Sequence, residues 1–257
     1  MANKKKQEPV YFIGAGPGDP DLITLRARRL LDSADVVIYA GSLVNPELLH
    51  GIRAQIHNSA KMDLDSIIDL ISKAYTNGMR VVRLHTGDPS LYGAIREQMR
   101  RLDALGISYE VVPGVSSAMA AAASLKAELT VPEVTQTVIF TRQAGRTPVP
   151  PAESLKNLAT AGASMCIFLS VSAIETVVSE LLAGGFPSNT PAAVVEKASW
   201  PEERIIRGNL ETIAARVKEA GIRKTAMIIV SRALGYSDDT ESRLYHSNFS
   251  HGYRKAQ

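Results

Sequence analysis

The sequence predicts two mixed α/β domains with a ligand cleft between them, and three observations point there. Apolar β-type runs alternate with amphipathic segments through the first half of the 257-residue chain, the rhythm of a parallel sheet covered by helices. A proline-interrupted stretch near residue 130 precedes a second α/β alternation. Two glycine–aspartate turns each close an apolar run in the first half, and two such turns suggest one cleft. A chain of this length can bury two cores; the domains expected are residues 1–129 and 130–257.

In the first half, strands are expected at 10–14, 35–40, 80–85 and 109–112, with helices near 22–33, 63–76 and 92–105. Val36, Val37, Ile38 and Tyr39 read as a strand buried on both faces. Ile67, Ile68 and Ile71 share a helix whose polar face carries Asp65, Asp69 and Lys73. The turn Pro113-Gly114-Val115-Ser116-Ser117 leads into an alanine-rich helix whose apolar run, 119–125, is too short to span a membrane. A linker follows at 129–134, broken by Pro132. In the second half, strands are expected at 137–142, 164–170, 192–196, 204–207 and 226–231, with helices near 171–183 and 209–220. The strand after Trp200-Pro201 suggests a hairpin, and 142–151, rich in Arg, Thr, Pro and Gly, is a loop able to fold over a ligand.

A net charge of +3 with scattered Lys and Arg gives no basic stripe of the kind nucleic acid requires. Lys4-Lys5-Lys6 reads as a solvated tail with no signal-peptide run behind it, so a cytoplasmic protein is expected. The single cysteine, Cys166, excludes an intrachain disulfide and fits a reducing compartment. His50, His57, His85, His246 and His251 form no ligand cluster at helical spacing, so no structural metal is expected.

The chemistry sits in the turns. Gly14-Ala15-Gly16-Pro17-Gly18-Asp19 and His85-Thr86-Gly87-Asp88-Pro89 both follow strands, and glycine there permits positive φ and close backbone approach by a ligand. A dinucleotide fold requires G-x-G-x-x-G so that a pyrophosphate can rest on a helix N-terminus. The third glycine is absent, and Asp19 sets negative charge where a diphosphate would dock. A cationic or neutral ligand such as S-adenosylmethionine is favoured. Two readings fit the aspartates: helix caps, with Asp21 capping in either case and Asp88 capping before Ser90, or groups that face a ligand. Ser116 and Ser117 either start a helix or offer hydroxyls. Tyr39 ends its strand before a small-residue turn with Asn45 or Ser42 as cap. Phe168, Leu169, Ser170, Ala192 and Ala193 read as buried strand ends, and Arg26, Arg28 and Arg29 as a solvated helix face. His85 reads as a satisfied core or turn histidine without a role.

Four motifs in order span nearly the whole chain: Gly14-Ala15-Gly16-Pro17-Gly18-Asp19-Pro20, Leu84-His85-Thr86-Gly87-Asp88-Pro89-Ser90-Leu91-Tyr92-Gly93, Pro113-Gly114-Val115-Ser116-Ser117-Ala118 and Thr190-Pro191-Ala192-Ala193-Val194-Val195. Together they resemble the tetrapyrrole methylase family, S-adenosylmethionine-dependent enzymes that methylate ring carbons of uroporphyrinogen and precorrins. Three further segments, beginning at Tyr39, Lys197 and Leu244, are similar to precorrin-methylating members. The resemblance implies two α/β domains, a homodimer, a tetrapyrrole substrate and a cofactor held in the interdomain cleft. Carried over by position, it implies cofactor contacts at Pro17, Thr86, Gly87, Asp88, Leu91, Ser116, Ser117, Leu169 and Ala198. Asp88 would orient the cofactor. Asp19 and Tyr39 would line the substrate side, handling a proton or a hydrogen bond to a pyrrole nitrogen. Gly16 and Gly18 would meet substrate, with Arg142 and Arg146 as candidate partners for its carboxylates. Thr86, Leu169-Ser170 and Ala198 depart from relatives that methylate uroporphyrinogen, which leaves the exact contacts open. A nicotinamide-dependent oxidoreductase and a catalytically silent tetrapyrrole carrier are the competing classes.

Overall fold

The computed structural model describes residues 7–235, 248–250 and 252–255. The Lys4-Lys5-Lys6 tail, His246, His251 and the start of the C-terminal motif at Leu244 lie outside the described residues. The chain divides into two units, Met1–Ala120 with Ser199–Glu202, and Ala121–Ala198 with Glu203–Gln257. The first division falls inside the alanine-rich helix α4 (Ser117–Leu125).

The first unit is built on a parallel sheet of β1 (Val10–Gly14), β2 (Val36–Tyr39), β3 (Gln55–Asn58), β4 (Val81–His85) and β5 (Tyr109–Val112), in the order β3-β2-β4-β1-β5. Its crossovers carry α1 (Leu25–Asp32), α2 (Leu64–Thr76) and α3 (Ile95–Ala104). Alternation along the strands splits the core into two layers. Val10, Phe12, Val36 and Ile38 pack with Ile67, Ile68, Ile71 and Leu102, while Ile13, Val37, Val82 and Leu84 pack with Ala27 and Leu31. Strand β3 was not foreseen: its residues Gln55, Ile56, His57 and Asn58 form a largely exposed edge and carry no apolar run. Helix α1 is capped by Thr24, whose Oγ1 accepts from the Ala27 N–H at 3.2 Å. The cap expected from Asp21 is therefore corrected, because a short 3-10 turn, Pro20–Leu22, intervenes and its cap is Asp19.

The second unit has a mixed sheet of β6 (Val138–Arg142), β7 (Ser164–Phe168), β8 (Pro191–Glu196), β9 (Arg204–Asn209) and β10 (Ala226–Val230), in the order β6-β7-β10-β8-β9. Only β6 and β7 run parallel; the expected hairpin is the antiparallel pair β8 and β9. Helices α5 (Leu155–Ala159), α6 (Ile174–Ala183) and α7 (Ile213–Glu219) cover a core of Met165, Ile167, Val177, Leu181, Val194, Ile213, Val217 and Ile228. α5 spans 5 residues, too short to leave a helical period in the sequence. Strand β7 ends at Phe168 rather than at 170. Leu169 takes φ +55° and is 72% exposed, so its expected burial is corrected, while Phe168 and Ser170 are buried as expected. Cys166 is buried and its thiol is pushed up to about 12 by desolvation, which leaves it inert. No helix of the described residues is long and apolar enough to cross a membrane.

Candidate functional site

Strands β1, β4 and β5 are neighbours in a parallel sheet, so their turns emerge at one carboxyl edge, where open α/β sheets bind ligands. The turns are joined through their backbones. Ala15 N–H donates to His85 O at 2.7 Å, and Gly16 and Gly87 exchange hydrogen bonds of 3.3 and 2.7 Å in an antiparallel bridge. A Cβ on Gly14 would stand 2.5 Å from Gly87 O and 2.6 Å from Gly114 Cα, and a Cβ on Gly114 would stand 2.2 Å from Gly87 O. Space, not torsion, demands glycine at 14 and 114, whereas Gly16 (φ +77°) and Gly87 (φ +59°) use the left-handed region. Asp88 completes the junction: Oδ1 accepts from Ser90 N–H at 2.8 Å and Oδ2 from Gly114 N–H at 2.9 Å. The helix-cap reading of Asp88 is therefore corrected: no helix starts at Ser90, α3 begins at Ile95 behind Ala94, and Asp88 instead closes a local turn and ties it to the β5 turn.

The β1 turn is held from several sides. Asp19 Oδ1 accepts from Asp21 N–H at 2.9 Å, and Asp19 N–H donates to Ser199 Oγ at 3.0 Å. Asn45, 6% exposed, donates from Nδ2 to Gly18 O at 2.9 Å, and Trp200 Nε1 donates to Pro17 O at 2.9 Å. Pro17 and Gly18 are buried and Asp19 is half-buried. Both backbone polar groups of Gly16 are engaged by Gly87, and Gly16 is itself buried. Tyr39 is half-buried against the Ile13 layer, and its carbonyl accepts from Ser59 Oγ at 2.9 Å.

The segment after β4 is strained. Leu91 N–H closes a turn on Asp88 O at 3.2 Å, and Tyr92 (φ +56°) and Ala94 (φ +50°) both hold left-handed torsions without being glycine. Ser116 is buried and its Oγ accepts from Ala118 N–H at 3.3 Å, the helix-start reading; Ser117 opens α4. His85 departs from expectation. It is 4% exposed, but its Nε2 has no hydrogen-bond partner, and burial followed by the Arg83 charge pushes its pKa down to about 3. Arg83, missed in the sequence, lies buried on β4. It donates to Gln98 Oε1 and Ile38 O, both at 3.1 Å, and desolvation lowers it to about 10.

In the second unit, Arg142 donates to the carbonyls of Gln143, Thr147 and Pro148 at 3.3, 3.1 and 2.8 Å. That guanidinium closes its own loop, while Arg146 is exposed. Ala198 is buried between two left-handed residues, Lys197 (φ +48°) and Ser199 (φ +68°).

The three joined turns offer backbone groups, the hydroxyls of Thr86, Ser116 and Ser117, and the carboxylates of Asp19 and Asp88. They contain neither lysine nor arginine. A Cβ added at Gly87 would sit in ordinary van der Waals contact with Ser117 N at 3.8 Å and with Ser116 Cα and Val115 O at 3.9 Å, so glycine there answers to its torsion rather than to crowding. This donor set suits an uncharged or cationic adenosyl ligand, while the Asp19 and Asp88 carboxylates, with no lysine or arginine beside them, would repel a diphosphate.

A family model described as tetrapyrrole (corrin/porphyrin) methylases matches residues 9–214. The chain belongs to the tetrapyrrole methylases. Among relatives of this methylase, a cobalt-precorrin-4 C(11)-methyltransferase of Methanocaldococcus jannaschii is 54% identical over all of this chain and 98% of its own length. A precorrin-4 C(11)-methyltransferase of Pseudomonas aeruginosa is 47% identical over 96% of this chain and 99% of its own. The solved structure of a cobalt precorrin-4 methyltransferase superposes with a TM-score of 0.86 at 46% identity, covering 88% of this chain and 95% of that one. A Thermus thermophilus uroporphyrin-III C-methyltransferase complexed with S-adenosyl homocysteine gives 0.74 at 29% identity, covering 88% and 93%.

Proposed function

We propose that this methylase transfers a methyl group from S-adenosylmethionine to C-11 of precorrin-4, giving precorrin-5 in corrin-ring synthesis. The observation that carries the donor assignment is the joined pair of glycine turns with Asp19 and Asp88 beside them and no cation among their residues. The relatives named for precorrin-4 C-11 methylation support the acceptor. When bound, S-adenosylmethionine supplies an electrophilic methyl on a positively charged sulfur. The chain's part is positioning, which can contribute ~7–11 kcal/mol toward such a barrier. In this reading Asp88 fixes the β4 turn whose residues Thr86, Gly87 and Leu91 meet the donor, with Pro17, Ser116, Ser117, Leu169 and Ala198 as further contacts. Asp19 and Tyr39 face the acceptor, where either can hold a proton or bond a pyrrole nitrogen. Arg146 is the freer candidate for the acceptor's carboxylates, since Arg142 already closes its loop. We also take the protein to act as a cytoplasmic homodimer, for which light scattering at twice the chain mass is the check.

Calorimetric titration with S-adenosylhomocysteine, with NADH as control, tests the donor assignment. Binding of the first and not the second is expected; the reverse overturns it and restores a nicotinamide enzyme. A second reading, that the acceptor already carries cobalt, is favoured by the higher identity to the cobalt-precorrin-4 relative. Parallel assays with the metal-free and cobalt-containing macrocycles separate the two.

A further inference from the structure

A turn between a strand and a helix ordinarily satisfies its backbone polar groups with water at the surface. The turn after β1 does not. Three consecutive residues each give a backbone group to a side chain from far along the chain. Pro17 O accepts from Trp200 Nε1, 183 residues away, and Gly18 O accepts from Asn45 Nδ2, 27 residues away. Asp19 N–H donates to Ser199 Oγ, 180 residues away. Asn45 is anchored in turn, because its Oδ1 accepts from Glu47 N–H at 3.0 Å. The indole ring is seated against Gly18 so closely that a Cβ there would lie 2.0 Å from Trp200 Cδ1. Ser199 holds φ +68° to make its contact, a torsion that persists only where the surroundings over-determine it. Although Ser199–Glu202 follows β8 in sequence, it groups with the first unit.

Neither the fold of the sheet nor the start of α1 needs this arrangement, since Thr24 already caps the helix. We propose that Asn45, Ser199 and Trp200 are positioning residues for methyl transfer. They clamp Pro17-Gly18-Asp19 so that the Asp19 carboxylate is presented in one orientation, without touching the reacting atoms themselves. The proposal rests on the methyl-transfer reading of the β1 turn. Pre-set orientation matters because a displacement of about 1 Å in a positioning element costs about 100-fold in rate.

The test is steady-state methylation of precorrin-4 by wild type, Asn45→Asp and Trp200→Phe, each rate divided by the number of sites that bind S-adenosylhomocysteine. Asn45→Asp keeps the acceptor for Glu47 but sets a carboxylate oxygen against Gly18 O. Trp200→Phe keeps a ring on Gly18 but removes the N–H. The proposal expects kcat per competent site, measured at saturating S-adenosylmethionine, to fall about 10- to 100-fold in either variant, with the S-adenosylhomocysteine Kd changed less than about 3-fold in Asn45→Asp; a Kd change in Trp200→Phe reports the donor contact at Pro17 and is read separately. Should Asn45→Asp not fold, Trp200→Phe carries the test. If kcat per competent site stays at the wild-type value while only the melting temperature or the number of competent sites falls, the residues are merely structural and the proposal is wrong. If wild type itself neither binds S-adenosylhomocysteine nor methylates precorrin-4, the functional reading fails first and takes this proposal with it.

Discussion

The two units use sheets of five strands for different ends. In the first, all strands run parallel, so the turns after β1, β4 and β5 collect at one edge and lock together through glycine backbones and Asp88. In the second, three of the four strand pairings are antiparallel, and its turns are scattered to both ends. Its left-handed residues are dispersed, at Gly162, Gly185 and Gly221 and at non-glycine positions such as Leu169 and Lys197. Parallel topology thus concentrates polar turn chemistry, and crowding at Gly14 and Gly114 makes those residues hard to replace; strained non-glycine torsions occur in both units, at Tyr92 and Ala94 in the first and at Leu169 and Lys197 in the second.

This contrast can be broken by substitution. The largest effect is expected from Gly114→Ala, whose Cβ would overlap Gly87 O; it should destabilise by about 3 kcal/mol in urea unfolding. Gly145→Ala, in a second-unit loop with nothing within 4 Å, should stay within about 0.5 kcal/mol. Equal costs would refute the idea that the junction is specially crowded. Asp88→Asn comes next. One amide oxygen cannot accept both Ser90 and Gly114 N–H groups, and the amide NH₂ would face a donor, so about 2 kcal/mol of stability should go. Donor affinity measured by calorimetry should fall with it.

His85 sharpens the comparison through pH. Its folded pKa, about 3, lies below the ordinary 6.5, so the unfolded chain binds a proton that the folded chain refuses. Stability contributed by neutral His85 is present above about pH 6.5 and is lost progressively as pH falls toward 3, by up to about 1.4 kcal/mol per unit. His85→Phe should flatten that slope in denaturation curves between pH 6.5 and 4; an unchanged slope would show that other groups set it. The smallest effect runs the other way. Leu169→Gly relieves an exposed left-handed leucine and should stabilise by about 1 kcal/mol while weakening S-adenosylhomocysteine binding. A gain in stability with unchanged affinity would remove Leu169 from the site.

The strands of both sheets were legible because Val36, Val37 and Ile38, or Met165, Cys166 and Ile167, are continuous apolar runs. β3 and α5 were not, because one is a polar edge and the other is too short for any period. The pairing of the two glycine turns was visible in their shared acidic ending. The clamp was not, because Asn45 and Trp200 reach Gly18 and Pro17 over separations that no local pattern encodes. Asp21 was misjudged as a cap, and Asp19, for which capping was one of two readings, caps a 3-10 turn rather than α1, because Pro20 starts that turn and shifts the helix start to Leu25. Leu169 was judged buried because its neighbours are, and composition cannot announce a left-handed torsion.

The most direct test of the central claim is incubation of the purified protein with precorrin-4 and S-adenosylmethionine labelled with ¹³C at its methyl, followed by carbon NMR of the macrocycle. The account predicts one new labelled methyl, on C-11, with stoichiometric S-adenosylhomocysteine. Label at another ring carbon would contradict the assigned acceptor position, and no label transfer to either the metal-free or the cobalt-containing macrocycle would contradict the account as a whole.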